Sequence, residues 1–159
     1  MSETTRITTL ASGLRVATET MASVQTASVG VWIDVGARYE TPEVNGVAHM
    51  LEHMAFKGTE RRSARAIAEA IENVGGHLNA YTSREHTAYY ARVMADDLPL
   101  AAELLADILQ HSIFDESELA RERTVILQEI GQVQDTPDDL VFDLFQETAY
   151  PGQSLGRSI

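Results

Sequence analysis

Residues 45–58 carry the pattern from which the rest of the chain can be interpreted, reading Asn-Gly-Val-Ala-His-Met-Leu-Glu-His-Met-Ala-Phe-Lys-Gly. Asn45 is a residue type that caps helix N-termini, and Gly58 is the type that ends helices. The stretch therefore predicts a helix that runs to about Lys57. The helix is predicted to be amphipathic, with the apolar residues Val47, Met50, Leu51, Met54 and Phe56.

Strands are predicted on both sides of this helix. The first two would form a hairpin that turns at Ser12 and Gly13. The others show alternating apolar side chains or a composition rich in Tyr and Val. The predicted strands lie at residues 6–10, 15–19, 24–35, 77–83 and 87–94.

Further helices are predicted from their capping signals. Glu118, three residues after Asp115, would complete a capping box there, and Pro137 would take the first position of the last helix. The predicted helices are residues 64–74 after a Ser63 cap, a helix that Asp96 or Asp97 opens and that runs to about Gln110, a helix from Asp115 to about Gln134, and one that begins after Thr136. Strands and helices in this order predict an α+β fold with a mostly antiparallel sheet.

Composition describes a single domain spanning residues 1–159, with 44% hydrophobic and 23% charged residues. No apolar run approaches the length of a membrane span. The absence of Cys excludes disulfides and thiolate metal sites. The first residues resemble neither a secretory signal nor a transit peptide, so we expect a cytoplasmic location. A processed protein of an organelle matrix would have the same composition.

The net charge of −12 is unevenly distributed. Residues 1–95 hold ten acidic and nine basic side chains, whereas residues 96–147 hold fourteen acidic and two basic ones. Such a surface disfavours nucleic acid, because phosphates would be repelled. It favours a basic partner or a basic peptide substrate. The alternative is a solvated helical face with no partner.

The predicted helix of residues 45–57 carries the motif His49-Met-Leu-Glu-His53. Residues four apart lie about 40° from each other around a helix, so the two imidazoles can bind one Zn²⁺. Glu52 lies to one side, where its carboxylate can reach a water on the metal. This order is the inverted form of the common zinc-peptidase motif. The alternative is a helix with two histidines that bind nothing.

A catalytic zinc site needs a third protein ligand and one open position. The remaining histidines, His77, His86 and His111, each lie where a structural role suffices. Glu122 and Glu129 are better candidates, since residues seven apart share a helix face. One could ligate the metal and the other could accept a hydrogen bond from a ligating imidazole. An ordinary acidic stripe would have the same spacing.

These residues resemble the pitrilysin and mitochondrial-processing-peptidase family, which includes insulin-degrading enzyme. Residues 45–58 are similar to its zinc helix, residues 78–85 to its substrate-facing edge strand, and residues 122–129 to its following helix. Residues 8–16 and 150–157 match as well, so the resemblance covers the whole chain. In that family the third ligand lies about 76 residues after the second His, and here Glu129 lies 76 residues after His53.

The resemblance implies a zinc-dependent endopeptidase in which His49, His53 and Glu129 bind Zn²⁺. It implies that Glu52 is the general base, activating a zinc-bound water, and that Glu122 is the carboxylate outside the ligand set. Asn79 and Ala80 would contact the backbone of an extended peptide substrate. Phe56 matches a position that lines the pocket after the cleavage point, although helix packing would explain it equally well.

The family has two homologous halves and is more than twice this long, so the resemblance also implies a missing second half or a partner subunit. We therefore expect an N-terminal half-domain that is truncated at its C-terminal end and has low activity alone. The family also contains degenerate subunits, and a non-catalytic partner or scaffold is the competing interpretation. The intact set of His49, Glu52, His53 and Glu129 argues against it. A metal-independent acidic binding module is a third interpretation.

Overall fold

The structure, a computed structural model, describes residues 4–158. The limits of the predicted domain, Met1 and Ile159, lie outside the described residues. The strands are β1 (Thr5–Thr9), β2 (Arg15–Glu19), β3 (Thr26–Ile33), β4 (His77–Thr82) and β5 (Thr87–Met94). The α-helices are α1 (Val47–Ala55), α2 (Ala64–Glu72), α3 (Leu98–Gln110), α4 (Glu116–Asp135) and α5 (Pro137–Ala149).

The strands form two antiparallel sheets, and the predicted α+β class is confirmed. β1 and β2 make a separate hairpin, while the second sheet has the order β3-β5-β4. In this sheet Tyr89 of the central strand lies between Val31 of β3 and Ala80 of β4. β4 therefore pairs on one side only among the described strands, which leaves an edge to which an extended chain can add.

The main core lies between one face of this sheet and helices α2 and α3. Alternate residues of β5 point into it, as strand geometry requires, and Leu104 of α3 is completely buried. Burying each large apolar side chain contributes about 1.5–3 kcal/mol. The cluster consists mainly of Ile67, Ile71, Tyr89, Ala91, Val93, Leu104, Leu105 and Ile108. It fixes the sheet against which α1 packs.

The N-terminus of α1 is capped differently from the prediction. Asn45 is not the cap: Gly46 occupies that position with a φ of 89°, a left-handed conformation that favours glycine. The backbone N–H groups at the start of α1 are paired by the buried carboxylate of Glu40. It accepts hydrogen bonds from Gly46 at 2.6 Å and from Ala48 at 2.8 Å. Asn45 instead bonds Arg157 and the carbonyl of Ser158.

The other helix ends follow their signals in part. Asp115 caps α4, accepting from the N–H groups of Ser117 and Glu118. The capping box is not completed, because the Glu118 carboxylate pairs with Arg121. Pro137 does begin α5, but the hydroxyl of Thr136 donates to the Gln132 carbonyl rather than capping that helix.

Helix α5 turns its apolar side outward. Asp143 on its inner side receives a hydrogen bond from Arg84 at 3.2 Å. Its outer side exposes half or more of each of four large side chains, Val141, Phe142, Leu144 and Phe145. None of the helices within residues 4–158 is long and apolar enough to cross a membrane.

Candidate metal centre

Helix α1 places His49 and His53 one turn apart, and their Nε2 atoms lie 3.2 Å from each other. Helix α4 packs against α1 and brings Glu129 to the same point. Its Oε2 atom is 3.5 Å from Nε2 of His49 and 3.5 Å from Nε2 of His53. The three predicted ligands therefore converge. Among the described residues, these three side chains form a group that could hold one metal ion.

These distances fit a zinc ion. Ligand atoms at 2.0–2.1 Å from a tetrahedral Zn²⁺ would lie about 3.3 Å from one another, close to the observed separations of 3.2–3.5 Å. Two imidazole nitrogens and one carboxylate oxygen leave a fourth position open. The donor set and its spacing thus suit a catalytic zinc site.

The His53 ring is held by Glu122, which has only 6% of its surface exposed. Oε2 of Glu122 lies 2.9 Å from Nδ1 of His53. An ionised carboxylate only accepts hydrogen bonds, so Nδ1 of His53 is the donor, and Nε2 is the ring nitrogen that faces the metal position. The predicted role of Glu122 is consistent with this geometry.

The second oxygen of Glu122 is engaged by Lys57, whose Nζ lies 2.6 Å from Oε1. Burial by itself would raise the pKa of Glu122, but the hydrogen bonds from Lys57 and His53 outweigh it and hold that pKa below its ordinary value. Glu122 is therefore ionised at neutral pH. Lys57 was not foreseen as part of this group, although it lies only four residues after His53, at the end of the predicted helix.

Glu52 is half-buried on α1. Burial and, to a smaller extent, the negative charge of Glu52 raise the pKa of Tyr89 to about 12. Glu52 is therefore close enough for its charge to act on Tyr89, the residue of the central strand that pairs with Ala80 of the edge strand.

The predicted substrate-binding residues lie on that edge strand. The side chain of Asn79 is exposed, and its Oδ1 accepts the backbone N–H of Ala80 at 2.8 Å. β4 is tied to the metal helix, since the hydroxyl of Thr82 donates to the carbonyl of Ala48 at 3.4 Å. The contacts of Asn79 and Ala80 with a substrate remain a prediction.

Phe56 lies against the core. Its ring centroid is 6.3 Å from that of Tyr89, and the side chain packs on the cluster between the sheet and the helices. This contact fits the helix-packing alternative. A role in a substrate pocket remains a prediction.

The other histidines do not join the ligand group. His77 is exposed at the start of β4. His86 lies 3.1 Å from the hydroxyl of Tyr81. Nδ1 of His111 lies 3.3 Å from Oδ1 of the buried Asp107. The structural interpretation given to all three is consistent with these positions.

A cleft of about 1040 Å³ opens beside the ligands. His49 and Glu129 line one part of it, and Asp139, Asp143 and Glu147 of α5 line another, together with Arg84 and Arg157. A molecule in this cleft would therefore touch His49 and Glu129 and an acidic wall in which carboxylates outnumber guanidinium groups.

An inverted histidine motif on a helix, a glutamate from a second helix and an open sheet edge beside them define the class of inverted-motif zinc metallopeptidases. The family model described as Insulinase (Peptidase family M16) matches residues 15–159. The chain belongs to this peptidase family, as the resemblance indicated.

Individual relatives agree with this assignment. The chain is 56% identical, over 98% of its length, to a probable mitochondrial-processing peptidase subunit beta of Arabidopsis thaliana, and covers 29% of it. It is 47% identical, over 95% of its length, to the zinc protease YmxG of Bacillus subtilis, and covers 37% of it.

Among solved structures, a protease from Helicobacter pylori superposes with a TM-score of 0.89 at 29% identity, covering 96% of this chain and 37% of that one. The described fold thus matches part of a larger protease. The chain spans about a third of the length of these relatives.

Proposed function

We propose that this chain carries the zinc centre of an endopeptidase that hydrolyses extended peptides, with Glu52 as the general base. The observation that carries the proposal is the convergence of His49, His53 and Glu129 beside Glu52. A bound Zn²⁺ would supply a Lewis acid that polarises the peptide carbonyl and makes water easier to deprotonate. Each of the other tasks falls to this chain's own residues.

Glu52 would accept a proton from the attacking water and later pass it to the leaving amine, as a carboxylate of suitable position can. The influence of its charge on Tyr89, which pairs with Ala80 of the edge strand, supports this role. The β4 edge would bind the peptide backbone as an added strand, so affinity would depend little on side-chain sequence. The backbone N–H of Ala80 already donates to Oδ1 of Asn79. A peptide carbonyl that accepts from this N–H must therefore displace the Asn79 side chain.

Basic peptides would be preferred. The support is the acidic wall of the cleft and the excess of acidic residues between 96 and 147. Such a field raises the local concentration of cations and weakens as salt is added.

Efficient cleavage would need a further half or a partner subunit. The peptide must be held from both sides and water excluded for the chemistry to be fast. The support is that relatives are about three times as long and that several of them are described as subunits. A non-catalytic scaffold is the competing function, and an intact Glu52 disfavours it.

The test has two parts. The wild-type chain should bind about one equivalent of Zn²⁺, and His49→Ala, His53→Ala and Glu129→Ala should each bind it much more weakly. His77→Ala is the matched control, because His77 lies outside the ligand group. Equal metal content in all the variants would refute the zinc assignment.

The second part measures cleavage of basic and acidic peptides of equal length, with the chain alone and with the second half supplied. Slow cleavage alone and faster cleavage of basic peptides by the completed enzyme are expected. No cleavage by the completed, zinc-loaded enzyme would instead establish the scaffold function.

A further inference from the structure

Lys57 is the single lysine of a chain with eleven arginines, and it lies at the metal centre. Its Nζ is 2.6 Å from one oxygen of Glu122, while the other oxygen of Glu122 lies 2.9 Å from Nδ1 of His53. Each carboxylate oxygen thus has one partner. Glu122 bridges an ammonium group and an imidazole.

The backbone around Lys57 is fixed from both sides. Its N–H donates to the Met54 carbonyl at 3.1 Å, which extends the last turn of α1. Two residues later, the buried hydroxyl of Thr59 donates to Asp107 of α3 at 2.9 Å. The backbone from which the Lys57 side chain extends is therefore held in place, within reach of Glu122.

We propose that Lys57 is a positioning residue for the metal centre, holding the Glu122 carboxylate in the orientation that aligns the His53 ring. This inference rests on the proposed function, because it takes the metal at His49, His53 and Glu129 to be zinc. Lys57 does not touch the metal position or the substrate edge. It acts through Glu122 alone.

The expected effect follows from the burial of Glu122. Without the ammonium group, a buried carboxylate would keep one hydrogen bond and lack a counter-ion, which favours rotation toward water. The His53 ring would then lose the acceptor that fixes its Nδ1 proton. Removing a group that orients a ligating imidazole commonly costs about 10–100-fold in metal affinity.

Lys57→Met keeps the length of the side chain and removes the charge, whereas Lys57→Arg keeps the charge. Zinc affinity should fall about tenfold in Lys57→Met and recover in part in Lys57→Arg. Arg65→Met is the matched control, because Arg65 is exposed and pairs with Glu69 away from the metal centre. Zinc affinity can be measured by competition with a chelator.

A double variant separates this role from a general loss of packing. If Lys57 acts through Glu122, Lys57→Met should have no further effect in a Glu122→Gln background. The proposal would be overturned if the loss of zinc affinity in the double variant equalled the product of the two single losses. Wild-type zinc affinity in Lys57→Met would also overturn it.

A spectroscopic measurement keeps this inference distinct from the proposed function. In the metal-free protein, the side-chain ¹⁵N signals of His53 should report a proton on Nδ1, and Lys57→Met should shift the ring toward a mixture of tautomers. If the wild-type chain binds no zinc, the proposed function fails, whereas this spectrum still decides the role of Lys57. An unchanged His53 tautomer in Lys57→Met would refute it.

Discussion

The carboxylate of Glu40 accepts the backbone N–H of Ala48 at 2.8 Å, so the helix that carries both histidines is capped by a residue outside it. The same carboxylate accepts the N–H of Gly46. An anion at this end also interacts favourably with the helix dipole. The position of His49, one residue after Ala48, therefore depends on Glu40.

Replacing Glu40 with Ala should lower the free energy of unfolding by about 1–2 kcal/mol, the usual cost of losing a cap. Zinc affinity should fall with it, because the first turn of α1 holds His49. Urea unfolding of the metal-free protein and chelator competition measure the two effects. Glu43→Ala is the control, since Glu43 lies outside α1 and does not cap it; equal loss in both variants would contradict the capping role.

Glu52→Gln should keep zinc affinity within a few-fold of wild type and reduce cleavage by the completed enzyme by about 10²–10⁴-fold. Gln preserves the shape of the side chain but cannot accept the proton. Metal content and initial cleavage rates are the measurements. Loss of zinc from this variant would make Glu52 a ligand and overturn its assignment as the base.

Asp107 predicts an acid-dependent loss of stability away from the metal centre. Burial alone would raise the pKa of Asp107, but hydrogen bonds from Thr59 and Arg62 hold it below its ordinary value of 3.8. A group whose pKa is lower in the folded state binds fewer protons there. Its contribution is therefore complete above about pH 4 and is lost as the pH falls through the folded value.

Asp107→Asn should accordingly cost about 1–3 kcal/mol at neutral pH and flatten the decline of stability below about pH 4. Urea unfolding from pH 7 to pH 2.5 measures both effects. Asp96→Asn, at an exposed position, should leave the curve unchanged. If the stability of Asp107→Asn fell as steeply with decreasing pH as that of wild type, other carboxylates would cause the acid sensitivity.

Leu104→Ala should destabilise the protein by about 2–5 kcal/mol, because it opens a cavity in the core between the sheet and α3. Leu127→Ala removes the same atoms from a side chain that is 59% exposed, so it should cost far less. Thermal or urea unfolding gives the comparison. If the two variants lost similar amounts of unfolding free energy, Leu104 would not belong to the core.

The convergence of His49, His53 and Glu129 was foreseeable from the sequence, in part because it depends on helix periodicity. His49 and His53 share a face of one helix, and the spacing of Glu129 from His53 matched the family. The antiparallel fold was foreseeable for a similar reason, since alternation and capping signals are local. Each of these patterns can be seen within a few residues or by comparison with a known motif.

The features that were missed depend on contacts between distant segments. Asn45 is a residue type that commonly caps helices, but here the buried carboxylate of Glu40 accepts the N–H of Gly46. The side chain of Asn45 accepts a hydrogen bond from Arg157 instead. No local pattern marks Glu40 for this role. Lys57 was missed for a similar reason. It lies near His53 in the sequence, but its partner Glu122 lies 65 residues away.

In solution, two copies of this chain experience opposing forces. The outward apolar faces of α5 attract each other, because contact removes them from water. The net charge of −12 keeps the copies apart. The screening length falls from about 10 Å at 0.1 M salt to about 3 Å at 1 M. Concentrated salt therefore favours precipitation, while a dilute buffer above the isoelectric point keeps the protein dispersed.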